Sequence, residues 1–211
     1  MYLVKGLGNT LAITFLAVLL GIFLGFLVAI VRSTYDKTGK GKLPNMICRL
    51  YLTVIRGTQM MVQLMIMCYV VFGKYNVSKL IVTTLAFGIN SGAYVAEIVR
   101  SGIMSIDPGQ LEAGRSLGFS YSQTMWHIIM PQTFKNVLPA LANEFIVLLK
   151  ETSVCGYIGM MDLTRGGDII RSRTYSAFMP LMAAAVIYLV MVMIFTYFVQ
   201  RLERRLRSSD H

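Results

Sequence analysis

Residues 11–31 form an apolar run without a charged side chain. At a helical rise of about 1.5 Å per residue, that run reaches across a bilayer core of about 30 Å. It has to be a helix, because hydrocarbon offers no partner for free backbone N–H and C=O groups. The run is too long for the apolar core of a secretory leader and no small-residue cleavage site ends it, so it reads as a first membrane span. Composition points the same way. With 55% hydrophobic and 14% charged residues, the chain is too apolar for an ordinary soluble domain. Its formal charge of +10 would also suit a nucleic-acid partner, but no stripe of basic and aromatic residues accompanies it. Lys and Arg at the cytoplasmic ends of spans account for the excess, and no nucleic acid is expected.

Four further runs complete a predicted all-α integral membrane protein of five transmembrane helices: 50–72, 80–104, 137–158 and 180–199. Gly21 and Gly25 lie four apart on the first span, where they either admit a neighbouring helix or face lipid. The loop after that span carries Lys37, Lys40 and Lys42, and the tail carries Arg201, Arg204, Arg205 and Arg207. Five spans with those basic segments inside put the N-terminus outside and the C-terminus in the cytoplasm. The polar stretch 161–178 then faces outward, with Gly166 and Gly167 as expected breakers.

Several polar residues fall inside the spans. Arg56 stands deep in the second and should face an acid, a subunit interface or a wet cavity. Glu97 in the third is followed three residues later by Arg100, so the two can pair or Glu97 can face a pathway. The fourth carries Asn143, Glu144, Lys150, Glu151, Thr152 and Ser153, too many polar groups for a helix surrounded by lipid. Lys150 and Glu151 are neighbours and point apart, so their partners lie elsewhere.

Residues 107–131 interrupt the apolar pattern between the third and fourth spans, on the cytoplasmic side. Asp107 and Pro108 suit a helix start, Gly118 a left-handed turn, and Ser120 the cap of a second short helix. Trp126, Ile129 and Met130 give that helix an apolar face, and Pro131 should break or kink it. No phosphate loop, G-x-S-x-G elbow or H-E-x-x-H helix occurs, and His127 and His211 are isolated. Cys48, Cys68 and Cys155 lack metal-site spacing. Neither catalytic residues nor a metal site are expected.

At 107–131 the sequence resembles the permease subunits of ATP-binding-cassette importers, in the histidine/arginine/glutamine branch that carries polar amino acids. That family's EAA signature is matched by Glu112, Ala113, Gly118 and the Met130-Pro131 ending, with Gly114 replacing the second alanine. The resemblance continues in GLGNTLAIT at 6–14, in Arg56-Gly57-Thr58 with Gln59 where the family has proline, in AYVAEIVRSGI at 93–103 and in Lys150-Glu151-Thr152-Ser153. It implies a single permease domain over 1–211 with the type I importer fold, in the cytoplasmic (inner) membrane of a prokaryote. Residues 107–131 would be a coupling segment, inserted through Glu112, Ala113, Gly114, Gly118 and Pro131 into a groove on a cytoplasmic ATPase. Arg56, Glu97, Lys150, Glu151, Thr152 and Ser153 would be candidates for the substrate pathway. No cofactor is implied on this chain, since ATP and Mg belong to the ATPase. Implied partners are two ATPase copies, a second permease (identical or homologous), an extracytoplasmic amino-acid-binding protein and a polar amino acid. The alternatives are an ion-coupled secondary amino-acid carrier using Glu97 or Glu151, and a membrane-embedded enzyme acting on lipid head groups, for which no catalytic constellation is visible.

Overall fold

The computed structural model describes residues 1–39 and 41–207. Lys40 of the basic loop lies outside the described residues, as do the side chains of Lys37 and Arg207. Every element is helical. α1 spans Tyr2–Thr38, α2 Lys42–Gly57, α3 Met60–Met65 and α4 Lys79–Met104, followed by α5 Pro108–Ser116, α6 Tyr121–Thr124, α7 Met130–Glu151, α8 Leu163–Thr174 and α9 Phe178–Arg207.

The centre is the crossing of α1 and α4, and small residues make it. A Cβ on Gly21 would lie 2.8 Å from Ser91 Oγ, and one on Gly25 would collide with Val95. From the other side, a Cβ on Gly88 would lie 2.5 Å from Leu20 and one on Gly92 3.1 Å from Leu24. The glycines therefore face a helix and not lipid, and close backbone approach is what they provide. Ile13, Leu64, Phe87, Leu148 and Cys155 fill the core on one side of the crossing. Within its most apolar stretch α4 is 61% buried and α9 only 17%, so α4 is the inner helix and α9 the outer one.

Three helices are long and apolar enough to cross a membrane: Tyr2–Asp36, Lys79–Met104 and Phe178–Leu206. A fourth crossing arises if Lys42–Gly57 and Met60–Val71 form one span, but these are bent by 107°. The expected second span is thus no straight helix. Thr58 (φ −116°, ψ 147°) and Gln59 (φ −73°, ψ 138°) are extended between the halves. Gln59 already has the φ that proline would impose, so the bend forms without it. Gln63 Nε2 then donates to the carbonyls of Ile55 at 2.7 Å and Thr58 at 3.1 Å, filling acceptors that the broken helix leaves open.

Two other expectations are corrected. Pro131 does not break the chain: α6 passes through a π-helical turn, Met125–Ile129, into α7, and that wide turn just before Pro131 is where a continuous helix accommodates a missing N–H. Gly166 and Gly167 do not break α8. They sit inside it as close contacts, where added Cβ atoms would lie 3.0 Å from the Tyr2 carbonyl and 3.2 Å from that of Pro180. α7 begins earlier than the predicted 137 and ends at Glu151, with a 3₁₀ stretch, Thr152–Ile158, completing the predicted range.

Candidate functional site

Residues 107–131 fold as an elbow of two short helices. Asp107 Oδ1 accepts the Gly109 N–H at 2.8 Å and starts α5, with Pro108 at its first position. The helix ends where Gly118 takes φ +87°. The Gly118 N–H donates to Arg115 O and the Phe119 N–H to Gly114 O, the paired closure that a left-handed glycine allows. Ser120 and Gln123 cap α6 reciprocally: the Ser120 N–H donates to Gln123 Oε1 at 2.8 Å and the Gln123 N–H to Ser120 Oγ at 3.3 Å.

The elbow is rooted and its tip is free. Met125, Ile129 and Met130 pack with Ala29, Val99 and Ile103 at the ends of α1 and α4. Burial pushes the Tyr121 phenol above the ordinary tyrosine range and keeps it neutral at this root. At the tip Glu112, Ala113 and Gly118 are exposed, beside Leu117 at 77% exposure, while Pro131 and Trp126 are exposed nearer the root. Of the signature positions, Gly114 is buried within the elbow and Met130 at its root. A Cβ on Gly114 would lie 2.6 Å from Thr124 Cγ2, so the departure from alanine lets α5 and α6 close on each other.

The polar residues of the spans divide into separate groups. Arg56 is not deep in a straight helix: the bend places it in the last turn of α2, with its side chain 45% exposed, 5.6 Å from the Tyr94 ring centroid and 3.9 Å from Glu97 Oε2. Glu97 Oε1 accepts from Arg32 Nη1 at 2.6 Å, and Arg100 donates to Asp36 Oδ2 at 3.1 Å. Of the two openings the sequence left for Glu97, the pair with Arg100 is not formed, because α1 runs beside α4 and offers each charge an opposite one. Lys150, Glu151, Thr152 and Ser153 lie at the far end of the bundle. Lys150 is exposed, Glu151 and Ser153 are half-buried, and the buried Thr152 hydroxyl donates to Leu149 O at 2.8 Å.

Between these groups lies Glu144, buried, its Oε1 accepting from Ser91 Oγ at 3.0 Å. The sequence shows it only as one of several polar residues of the fourth span and not as a pathway candidate; it shares a helical stripe with Val137, Leu141 and Leu148, all buried. Near it Asn90 donates to Gln63 Oε1 at 3.0 Å. The stretch at 6–14 has a joining role. Asn9 Nδ2 donates to Met161 O at 2.7 Å, and Thr10 Oγ1 accepts from the Leu163 N–H at 3.2 Å, tying the start of α1 to the start of α8. Among the described residues, no group of three or more His, Cys, Asp or Glu is placed to hold a metal.

Residues 17–208 match the family described as binding-protein-dependent transport system inner membrane component. The arginine transport system permease protein ArtQ of Bacillus subtilis is 36% identical over 215 residues, covering 99% of this chain and 94% of that protein. The glutamine transport system permease protein GlnP of Escherichia coli K12 is 34% identical over 208 residues, with 97% and 93% covered. Among solved structures, an amino acid ABC transporter crystallised with histidines matches at 43% identity and TM-score 0.88, covering 97% of this chain and 94% of that one. An inward-facing MetNI methionine ABC transporter shares the fold, at 19% identity and TM-score 0.81.

Proposed function

The chain belongs to the inner membrane components of binding-protein-dependent transport systems, and on that premise we propose how it works. It is the permease component of an amino-acid ATP-binding-cassette importer, a multi-pass membrane protein. The observation that carries the reading is that kinship runs along nearly the whole chain, and that the stretch singled out by the EAA resemblance folds as an exposed elbow rooted under α1 and α4.

In this proposal the whole chain is one permease domain with five crossings: α1, the bent α2–α3 pair, α4, α7 and α9. α7 qualifies although it is polar. About 33 Å long at 22 residues, it turns Glu144 inward and leaves Asn143 and Lys150 for a water-filled face. The N-terminus lies outside and the tail inside, as the basic loop and tail favour. The elbow docks by its tip on a cytoplasmic ATPase, which holds ATP and Mg. Two ATPases, a second permease and an extracytoplasmic binding protein complete the assembly, and a polar amino acid is moved inward. Because the π-helical turn joins the elbow directly to α7, a push on the tip reaches the helix that lines the pathway. Lys150, Glu151, Thr152 and Ser153 act at the outer mouth, and Arg56 and Glu97 lie at the inner end of the bundle.

The ion-coupled carrier is the weaker reading, since the structural relatives are ATP-driven. Purification in mild detergent from the native host decides between them. A co-purifying ATPase, lost with Gly118→Asp while the permease still inserts, is the expected result. Uptake of an amino acid by this chain alone, on an ion gradient and without ATP, would overturn it.

A further inference from the structure

The end of the bundle nearest the elbow carries a cleft of about 540 Å³ whose charge is not balanced, lined by Arg32, Arg49, Arg56, Tyr94 and Glu97 among others. Glu97 is its only carboxylate and is already engaged, 2.6 Å from Arg32 and 3.9 Å from Arg56. Three guanidinium groups face that single acid. Arg49 is exposed and has no ion pair or hydrogen bond among the described residues, and Arg56 reaches Glu97 only at 3.9 Å. Unfilled donors on charged guanidinium groups favour an anion with several oxygens over water.

The surroundings of the cleft say which anion. Lys42, Arg49 and Arg56 recur every seven residues and form one edge of α2. Beside that edge runs an exposed apolar stripe of Leu43, Met46, Leu50 and Val54, while Tyr51 and Leu52 turn into the bundle. A basic edge bordering an exposed apolar face is the pattern of a helix at a lipid interface. Glu97 stands about two helical turns before the end of α4 at Met104, a depth from which arginine side chains reach the head-group layer.

We propose that this cleft binds the phosphate of an anionic phospholipid from the leaflet on the elbow side, with the acyl chains lying along the apolar face of α2. Basic pockets between membrane helices recognise such head groups by the same chemistry. The inference goes beyond the transport reading and rests on it only for the complex in which it is tested.

The test uses the complete complex with its ATPase, reconstituted in nanodiscs of phosphatidylcholine with or without phosphatidylglycerol. Phosphatidylglycerol should raise the melting temperature of the wild type and remain bound in native mass spectrometry. Arg49→Gln should weaken that retention roughly tenfold, the scale of one charge-assisted hydrogen bond, while Arg173→Gln at the opposite end leaves it unchanged. Because Arg49 makes no contact that the fold needs, the variant remains folded, and an unchanged melting temperature in phosphatidylcholine checks this. Equal retention by wild type and Arg49→Gln overturns the proposal. So does equal stabilisation by inorganic phosphate alone, which would mark a free-anion site, or disulfide cross-linking of Arg49→Cys to a second permease copy, which would show the cleft covered by protein.

Discussion

Gly114 sets two residue-scale effects against each other. Alanine there would favour the helix by up to about 1 kcal/mol, yet its methyl would press against Thr124, whose Cγ2 lies 2.6 Å from the Cβ position. Overpacking costs typically about 1–3 kcal/mol, so Gly114→Ala should lower stability by about 1 kcal/mol and loosen the elbow. Thr124→Ser removes the nearer of the two crowding atoms, leaving the hydroxyl at 2.9 Å and bonded to Ser120 O. The double variant should melt higher than Gly114→Ala alone, and additive losses would show that crowding is not the cause. Asp168 on α8 is a second case. Its hydrogen bond from Arg171, aided by the Arg171 and Arg165 charges, holds the carboxyl below the usual aspartate range. A lowered folded pKa means that stability is fully present above the ordinary aspartate value and is lost as pH falls through the lowered one. Melting curves between about pH 6 and pH 3 should show a small acid-side loss that Asp168→Asn removes, small because the group is exposed. The Asp168 pairs lie three residues apart and needed only that 161–178 be read as a helix, whereas the Gly114–Thr124 contact was not legible in the sequence. The Gly114 departure was visible as a deviation from the family pattern, but Thr124 is brought to it only by the turn at Gly118.

At the scale of elements, the bend between α2 and α3 depends on local backbone shape. Thr58 is extended, as a residue before proline must be, and Gln59 has φ −73°. Gln59→Pro should therefore keep the bend and change stability by between zero and about 1 kcal/mol in the favourable direction. Gln63→Leu should do the opposite and cost about 1–2 kcal/mol, since the carbonyls of Ile55 and Thr58 lose their donor. Melting temperatures of the two variants in the same detergent check both. Periodicity and apolar length found α1, α4 and α9, because a helix in hydrocarbon announces itself by composition. The same signal made 50–72 one span without locating its break, because apolar residues on both sides of a break look continuous. The elbow was better legible: capping and turn residues act within a few positions, so Asp107, Gly118 and Ser120 do in the fold what their chemistry foretold.

For the whole molecule, the two outer faces should differ in what they meet. Asn143 and Lys150 make part of α7 polar and exposed, whereas Val186 and Leu189 on α9 are exposed and apolar. In a background without Cys48, Cys68 and Cys155, Asn143→Cys should react with a water-soluble, membrane-impermeant thiol reagent in the assembled transporter. Val186→Cys should resist it. Equal reactivity would contradict a water-filled face on α7. Glu112→Lys, exposed at the elbow tip, should leave the bundle folded and reduce ATPase co-purification; normal recovery of the ATPase would count against docking there. By itself the sequence determined that this chain is an all-helical membrane protein, where its elbow lies and to which family it belongs, because apolar run length, cap chemistry and signature residues are local properties. Which charges meet was decided only by tertiary structure. Glu97 sits three residues from Arg100, yet the close crossing of α1 over α4 at Gly21 and Gly25 brings Arg32 and Asp36 nearer in space, and each charge pairs with what the packing delivers.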